Sequence, residues 1–134
     1  MPILIVEDDP VFLRIMKEIL SASCPSIPLI EAADGKQALD QFNAWDPRFV
    51  FMDISLPDIN GLKLTRTMKE SSPGVMVVIV TNHDTPEHRE AAYEAGADSF
   101  ISKISNVATE VRAAVRSLAP WACCEQNPGG AQSG

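Results

Sequence analysis

The 134-residue sequence has no apolar run approaching the roughly 18 residues that a membrane span needs. Its N-terminus lacks a basic segment, and its short apolar run meets acids too early for a secretory signal. A cytoplasmic protein is the expectation. Cysteine is scarce as well. Cys24, Cys123 and Cys124 make an odd set with two neighbours adjacent, which fits neither a disulfide framework nor a zinc site. Reduced thiols are expected. Basic residues are in deficit, with 11 Lys and Arg against 18 Asp and Glu and a formal net charge of −7. Direct binding of nucleic acid by this domain is therefore not expected, because neutralising phosphates takes clustered Lys and Arg. There is no internal repeat and no room for a second domain.

What is present is a soluble composition, 46% hydrophobic and 22% charged, in which strand and helix signals alternate. The strand candidates are "PILIV", "IPLIEA", "RFVFMDI", "VMVVIVT" and "DSFISK". The fourth is the most hydrophobic and should be buried on both faces. Between them, "VFLRIMKEIL" predicts a helix with Val11, Phe12, Ile15, Met16, Ile19 and Leu20 facing inward. "GKQALDQF" should bury Ala38, Leu39 and Phe42, and "GLKLTRTMKE" should bury Leu62, Leu64 and Met68. "TPEHREAAYEAG" starts with Thr85 as N-cap and Pro86 at the first helical position. Its inward face is mainly alanine, so that helix should be weakly anchored. "VATEVRAAVRSL" presents Val107, Val111, Val115 and Leu118.

Five strands alternating with five helices imply parallel βαβ units with helices on both faces. The expected fold is α/β, a doubly wound five-stranded parallel sheet of flavodoxin type in the order 2-1-3-4-5. The domain should run over residues 1–118. Residues 119–134, rich in Gly, Pro and small polar residues, read as a flexible tail or the start of an interdomain linker.

Ligands of such sheets gather beyond the carboxyl ends of the strands. Strand one ends in Glu7 and Asp8, strand three in Asp53, strand four in Thr81 and strand five in Lys103. Asp9 and Pro10 are explained by a helix start, with Asp9 as N-cap; Glu7 and Asp8 are not. Each of the five groups alone has a plain reading as a turn residue, a cap, a β-former or a solvated charge. All five at one sheet edge are harder to explain that way. Three carboxylates held together repel unless a cation offsets them. Magnesium suits one or two carboxylates with waters and a phosphoryl oxygen. A carboxylate in such a site can attack phosphorus, and the lysine and hydroxyl can bind phosphoryl oxygens.

The motifs "ILIVEDDP", "VFMDISLPDINGLKL", "VVIVT" and "EAGADSFISK" together resemble the receiver domain of two-component response regulators, chemotaxis type included, over about Met1 to Leu118. The resemblance implies a phosphoacceptor switch rather than an enzyme, with slow self-dephosphorylation at most. Asp53 resembles the phosphoacceptor. Asp8 resembles the direct magnesium ligand, Glu7 its partner acid acting through water, and the backbone carbonyl of Ser55 a further ligand. Thr81 and Lys103 would bind the phosphoryl group, and Phe100 would be the switch aromatic on the face of helix four, strand five and helix five. Ser55 and His83 occupy positions that tune dephosphorylation. His83 is open between a partner contact, a water-orienting group and a solvated side chain. Two positions depart from the family. Asn82 stands where Ala or Gly is usual, and Ile104 follows Lys103 where Pro is usual. A non-proline cis bond costs about 2.5–4 kcal/mol, so Ile104 should be joined in trans, with Lys103 still reaching Asp53.

The implied partners are a histidine kinase or histidine phosphotransfer protein, and a downstream target or an output domain elsewhere in a longer chain. Dimerisation on phosphorylation is left open, as is the choice between a stand-alone regulator and one domain of a larger one. Two other functions share part of this pattern. A small haloacid-dehalogenase-type phosphatase would carry a second Asp two residues past the nucleophile, where this chain has Ser55. A degenerate receiver would bind partners without accepting a phosphoryl group.

Overall fold

The computed structural model describes residues 2–123. Strands β1 (Ile3–Val6), β2 (Leu29–Ala32), β3 (Phe49–Met52), β4 (Met76–Thr81) and β5 (Ser99–Ser102) alternate with helices α1 (Pro10–Ser23), α2 (Gly35–Trp45), α3 (Gly61–Ser71), α4 (Pro86–Glu94) and α5 (Val107–Leu118). The sheet is parallel throughout, in the order β2-β1-β3-β4-β5. Both the order and the five αβ repeats match the expectation. Of the segment expected as a tail or linker, Ala119 is buried and Pro120–Cys123 form a further short helix, α6. Its remainder, with Cys124, lies outside the described residues. Among the described residues, no helix is long and apolar enough to cross a membrane.

Apart from β2 (LIEA), the strands are short because each is a brief, mainly apolar run closed by a polar residue. β1 and β3 are buried at every position, and β4 at all but its first. Helices on both faces require this. The pleat sorts the side chains into two cores. Leu4, Val6, Val50, Met52, Val77 and Ile79 face α2, α3 and α4. Ile3, Ile5, Phe49, Phe51, Val78 and Val80 face α1 and α5. Each fully buried Phe, Ile or Leu side chain contributes about 1.5–3 kcal/mol relative to exposure.

Caps set the helix starts. Asp9, Asp34, Asn60, Thr85 and Asn106 each accept a backbone N–H from the first turn of the following helix. In α4 only Ala92 is fully buried, as the alanine-rich face suggested. Helix α1 departs from the expectation. Met16 and Leu20 are buried, with Phe12, Leu13 and Ile19 packed around them, but Val11 is 66% and Ile15 42% exposed. The reason is angular. At about 100° per residue, the arc centred on Met16 takes in Phe12, Leu13, Ile19 and Leu20. Ile15 falls about 100° from its centre and Val11 about 140°. Six inward residues were too many for one stripe.

Candidate functional site

The register of the sheet aligns the strand ends. Val6 pairs with Met52, and Thr81 with Ser102. The next residues along, Glu7, Asp53 and Lys103, therefore leave the sheet at one edge. Lys103 Nζ lies 2.9 Å from Glu7 Oε1 and 3.1 Å from Asp53 Oδ2. It also sits 4.4 Å above the centre of the Phe12 ring, a cation–π contact on its apolar side. All three side chains are largely withdrawn from water, at 9%, 3% and 7% exposure for Lys103, Glu7 and Asp53.

Burial is the main influence on Glu7 and lifts its carboxyl above the ordinary 4.5. The Lys103 hydrogen bond opposes the lift, and the nearby charge of Asp53 adds to it. Burial alone would lower the Lys103 ammonium. The Glu7 hydrogen bond and the charge of Asp53 outweigh it and leave the group above 10.5. One ammonium thus serves two buried acids.

Asp8 is exposed at the mouth. One carboxylate oxygen from each of Glu7, Asp8 and Asp53 lies within 4.8 Å of the others. That is a set of hard oxygen donors of the kind a divalent cation prefers. Among the described residues it is the cluster of acids that fits a metal.

Thr81 is fully buried at the end of β4. Its carbonyl accepts the Lys103 N–H at 2.8 Å, and its hydroxyl accepts the His83 N–H at 3.3 Å. Lys103 is thereby tied to Thr81 through the backbone as well as to the acids through its side chain. Among the described residues there is no cis peptide bond, so Lys103 and Ile104 are joined in trans, as expected. The Ile104 N–H, which a proline would lack, donates to Ser102 Oγ at 3.3 Å, and that hydroxyl donates to Asp84 at 2.9 Å. The loop after β5 is held by these bonds while Lys103 still reaches Asp53.

The positions read as tuning sites lie over the mouth. Ser55 Oγ and His83 Nε2 meet at 2.5 Å, and the His83 ring lies 5.1 Å from that of His88 on α4. The Ser55 N–H points to Asp53 Oδ1 at 3.4 Å. Asn82 is exposed. Phe100 is packed inward at 5% exposure, with the Arg89 guanidinium 4.7 Å above its ring.

Three contacts were not anticipated from the sequence. Phe12 under Lys103 and Arg89 over Phe100 are two. The third is Asp58, in the loop after β3, whose carboxylate accepts the Gly35 and Lys36 N–H groups at 2.7 and 3.0 Å. A glycine opening α2, together with an acid five residues past Asp53, was the only available signal.

The response regulator receiver domain matches this chain over residues 3–116. The transcriptional activator protein ExaE of Pseudomonas putida is 34% identical over 126 residues, 94% of this chain and 59% of that protein. The chemotaxis protein CheY of Halobacterium salinarum is 31% identical over 101 residues, 75% of this chain and 82% of that one. A CheY-like receiver domain from Methanospirillum hungatei superposes with a TM-score of 0.79 at 28% identity, covering 89% of this chain and 94% of its own. The chain spans about half the length of several curated relatives, 52% and 49% in two further cases.

Proposed function

Because the chain belongs to the response regulator receiver domain family, the phosphoacceptor signalling domains of two-component systems, we propose that Asp53 is its phosphoacceptor and that magnesium assists the transfer. The observation that carries this reading is the buried triangle of Lys103, Glu7 and Asp53, completed by Asp8 at the mouth. Glu7, Asp8 and Asp53, with the backbone carbonyl of Ser55, would hold the cation. Bound there, magnesium supplies positive charge against the phosphoryl oxygens.

The chain's own groups do the rest. A partner histidine kinase or phosphotransfer protein presents a phosphohistidine. An Asp53 oxygen attacks phosphorus in line, the P–O bond forms, and the P–N bond breaks with its electron pair returning to the imidazole, which takes a proton from solvent. Lys103 already touches Asp53 and would stay with the acquired charge, since its ammonium is a compact point charge on a flexible stem. The Thr81 hydroxyl would turn from the His83 N–H toward a phosphoryl oxygen. Phe100 already packs inward here, so phosphorylation would act by favouring an arrangement the chain reaches on its own. The responding surface is the face of α4, β5 and α5, read by a downstream protein or by an output domain of a longer chain. Ser55, Asn82 and His83 at the mouth would set the lifetime of the acyl phosphate.

Nothing in the geometry favours a phosphatase. The position two past Asp53 is Ser55, bonded to His83, and not a second acid. The test is direct. A small acyl phosphate with magnesium adds one phosphoryl mass to the wild type and none to Asp53→Asn, read by intact mass spectrometry. A wild type that gains nothing makes the chain a degenerate receiver. A D53N variant that gains as much as wild type moves the acceptor elsewhere.

A further inference from the structure

We propose that Asp58 and Gly35 form a strap that positions the phosphoacceptor loop, so that the start of α2 sets how strongly the Asp53 site holds a divalent cation and how fast it accepts a phosphoryl group. This rests on the reading of Asp53 just given.

The loop from Ile54 to Asn60 leaves the site and returns to it. At its far end the Gly61 N–H donates to the Ile54 carbonyl at 2.8 Å, and Ser55 bridges Asn60. Those bonds close the loop on itself but fix it to no other element. Two links lead outward, Ser55 to His83 in the loop after β4 and Asp58 to the start of α2. The two carboxylate oxygens of Asp58 take the first two N–H groups of α2, while Asp34 takes the third, that of Gln37, at 2.8 Å. The donors at this helix start, which would otherwise lack partners, are thus shared between a local cap and a residue 23 positions away. The Gly35 N–H is also the leading reason that the Asp58 carboxyl lies below its ordinary value.

Packing supports the same link. A Cβ on Gly35 would stand 2.2 Å from Ile59 Cγ2 and 3.2 Å from Asp58 Oδ1. Position 35 therefore lets the loop lie against the helix. Between these anchors runs Ser55, whose N–H faces Asp53 Oδ1 and whose hydroxyl holds His83. Releasing Asp58 removes one of the two outward holds on the loop that carries Ser55, and so loosens the carbonyl proposed to face the cation and the N–H that faces Asp53. Outer groups that orient metal ligands typically change affinity by about 10–100-fold.

Asp58→Ala, Asp58→Asn and Gly35→Ala separate this role from simple capping. For each, the melting temperature is followed against magnesium concentration, and the rate of mass gain is measured with a small acyl phosphate. The expectation for Asp58→Ala is about a tenfold higher magnesium concentration for half-maximal stabilisation, with slower phosphorylation. Asp58→Asn keeps one acceptor oxygen and should fall between Ala and wild type. Gly35→Ala sets a methyl against Ile59 and should melt earlier on either reading, so its magnesium response is what discriminates. A purely local role predicts an unchanged magnesium midpoint. The strap predicts a weakened response. If Asp58→Ala melts earlier but keeps the wild-type magnesium midpoint and rate, Asp58 is only a cap and the proposal fails. A wild type indifferent to magnesium instead removes the underlying reading of the site, and the strap with it.

Discussion

The hydroxyl of Ser55 and Nε2 of His83 meet at 2.5 Å, joining the loop after β3 to the loop after β4 across the mouth of the acidic site. This contact stands beside the Asp53 carboxylate, whose Oδ1 the Ser55 N–H faces at 3.4 Å, and would there hinder water from reaching the proposed acyl phosphate. Ser55→Ala and His83→Ala are each expected to shorten the life of the phosphorylated protein. The double variant should decay no faster than the faster single one, since both break one bond. Loss of the phosphoryl mass over time measures it, and additive effects would show that the two residues act separately.

Asp8 is the exposed member of the acidic trio, so its removal should disturb the fold least. Magnesium that binds the native site and not the unfolded chain stabilises by mass action. At about a hundred times the dissociation constant, the gain is about 2.7 kcal/mol. Asp8→Ala should abolish that gain while melting near the wild type in chelator. A variant that still responds fully to magnesium would place the cation elsewhere.

Glu7 gives a pH dependence of known sign. Its carboxyl lies above 4.5 in the folded protein, chiefly through burial. The folded state therefore keeps a proton that the unfolded chain has released. The resulting stabilisation is complete below pH 4.5 and is lost as pH rises through the folded value. Glu7→Gln cannot ionise. In metal-free buffer its melting temperature should gain on that of the wild type across this rise, and parallel curves would show that Glu7 is ordinary.

Gly61 marks a close approach. A Cβ there would lie 2.0 Å from the Asp53 carbonyl oxygen and 2.9 Å from the Ile54 Cα. Those are backbone atoms and cannot swing aside. Gly61→Ala should cost about 1–3 kcal/mol, the usual range for overpacking, although alanine suits a helix start. Urea denaturation would measure it. A neutral result would mean that the backbone after Asp53 yields more readily than its bonds suggest.

The five strand-end groups were legible because their signal is local, while the sheet order followed from the doubly wound fold type that alternating strands and helices imply. Short apolar runs end in a polar residue, and the topology brings those ends to one edge. The cost of a non-proline cis bond likewise foretold the trans link at Ile104. Val11 and Ile15 were misplaced because an apolar residue marks a helix without saying which of two adjacent ridges the sheet will cover. Asp58 on Gly35, Phe12 under Lys103 and Arg89 over Phe100 were out of reach for another reason. Each joins elements whose approach depends on loop paths and helix rotation, which residue spacing does not encode.

Lys103 has one more consequence, through its position in the chain. β5 follows the other four strands of this sheet in the chain, and it enters the sheet by pairing with β4. A nascent chain holding only the first four strands carries Glu7, Asp8 and Asp53 without the ammonium that offsets two of them. Its three like charges work against closing that corner of the sheet. The arrival of β5 completes that edge of the sheet and brings one ammonium to two of the three acids, so the strand that closes the fold also lessens the repulsion it closes over.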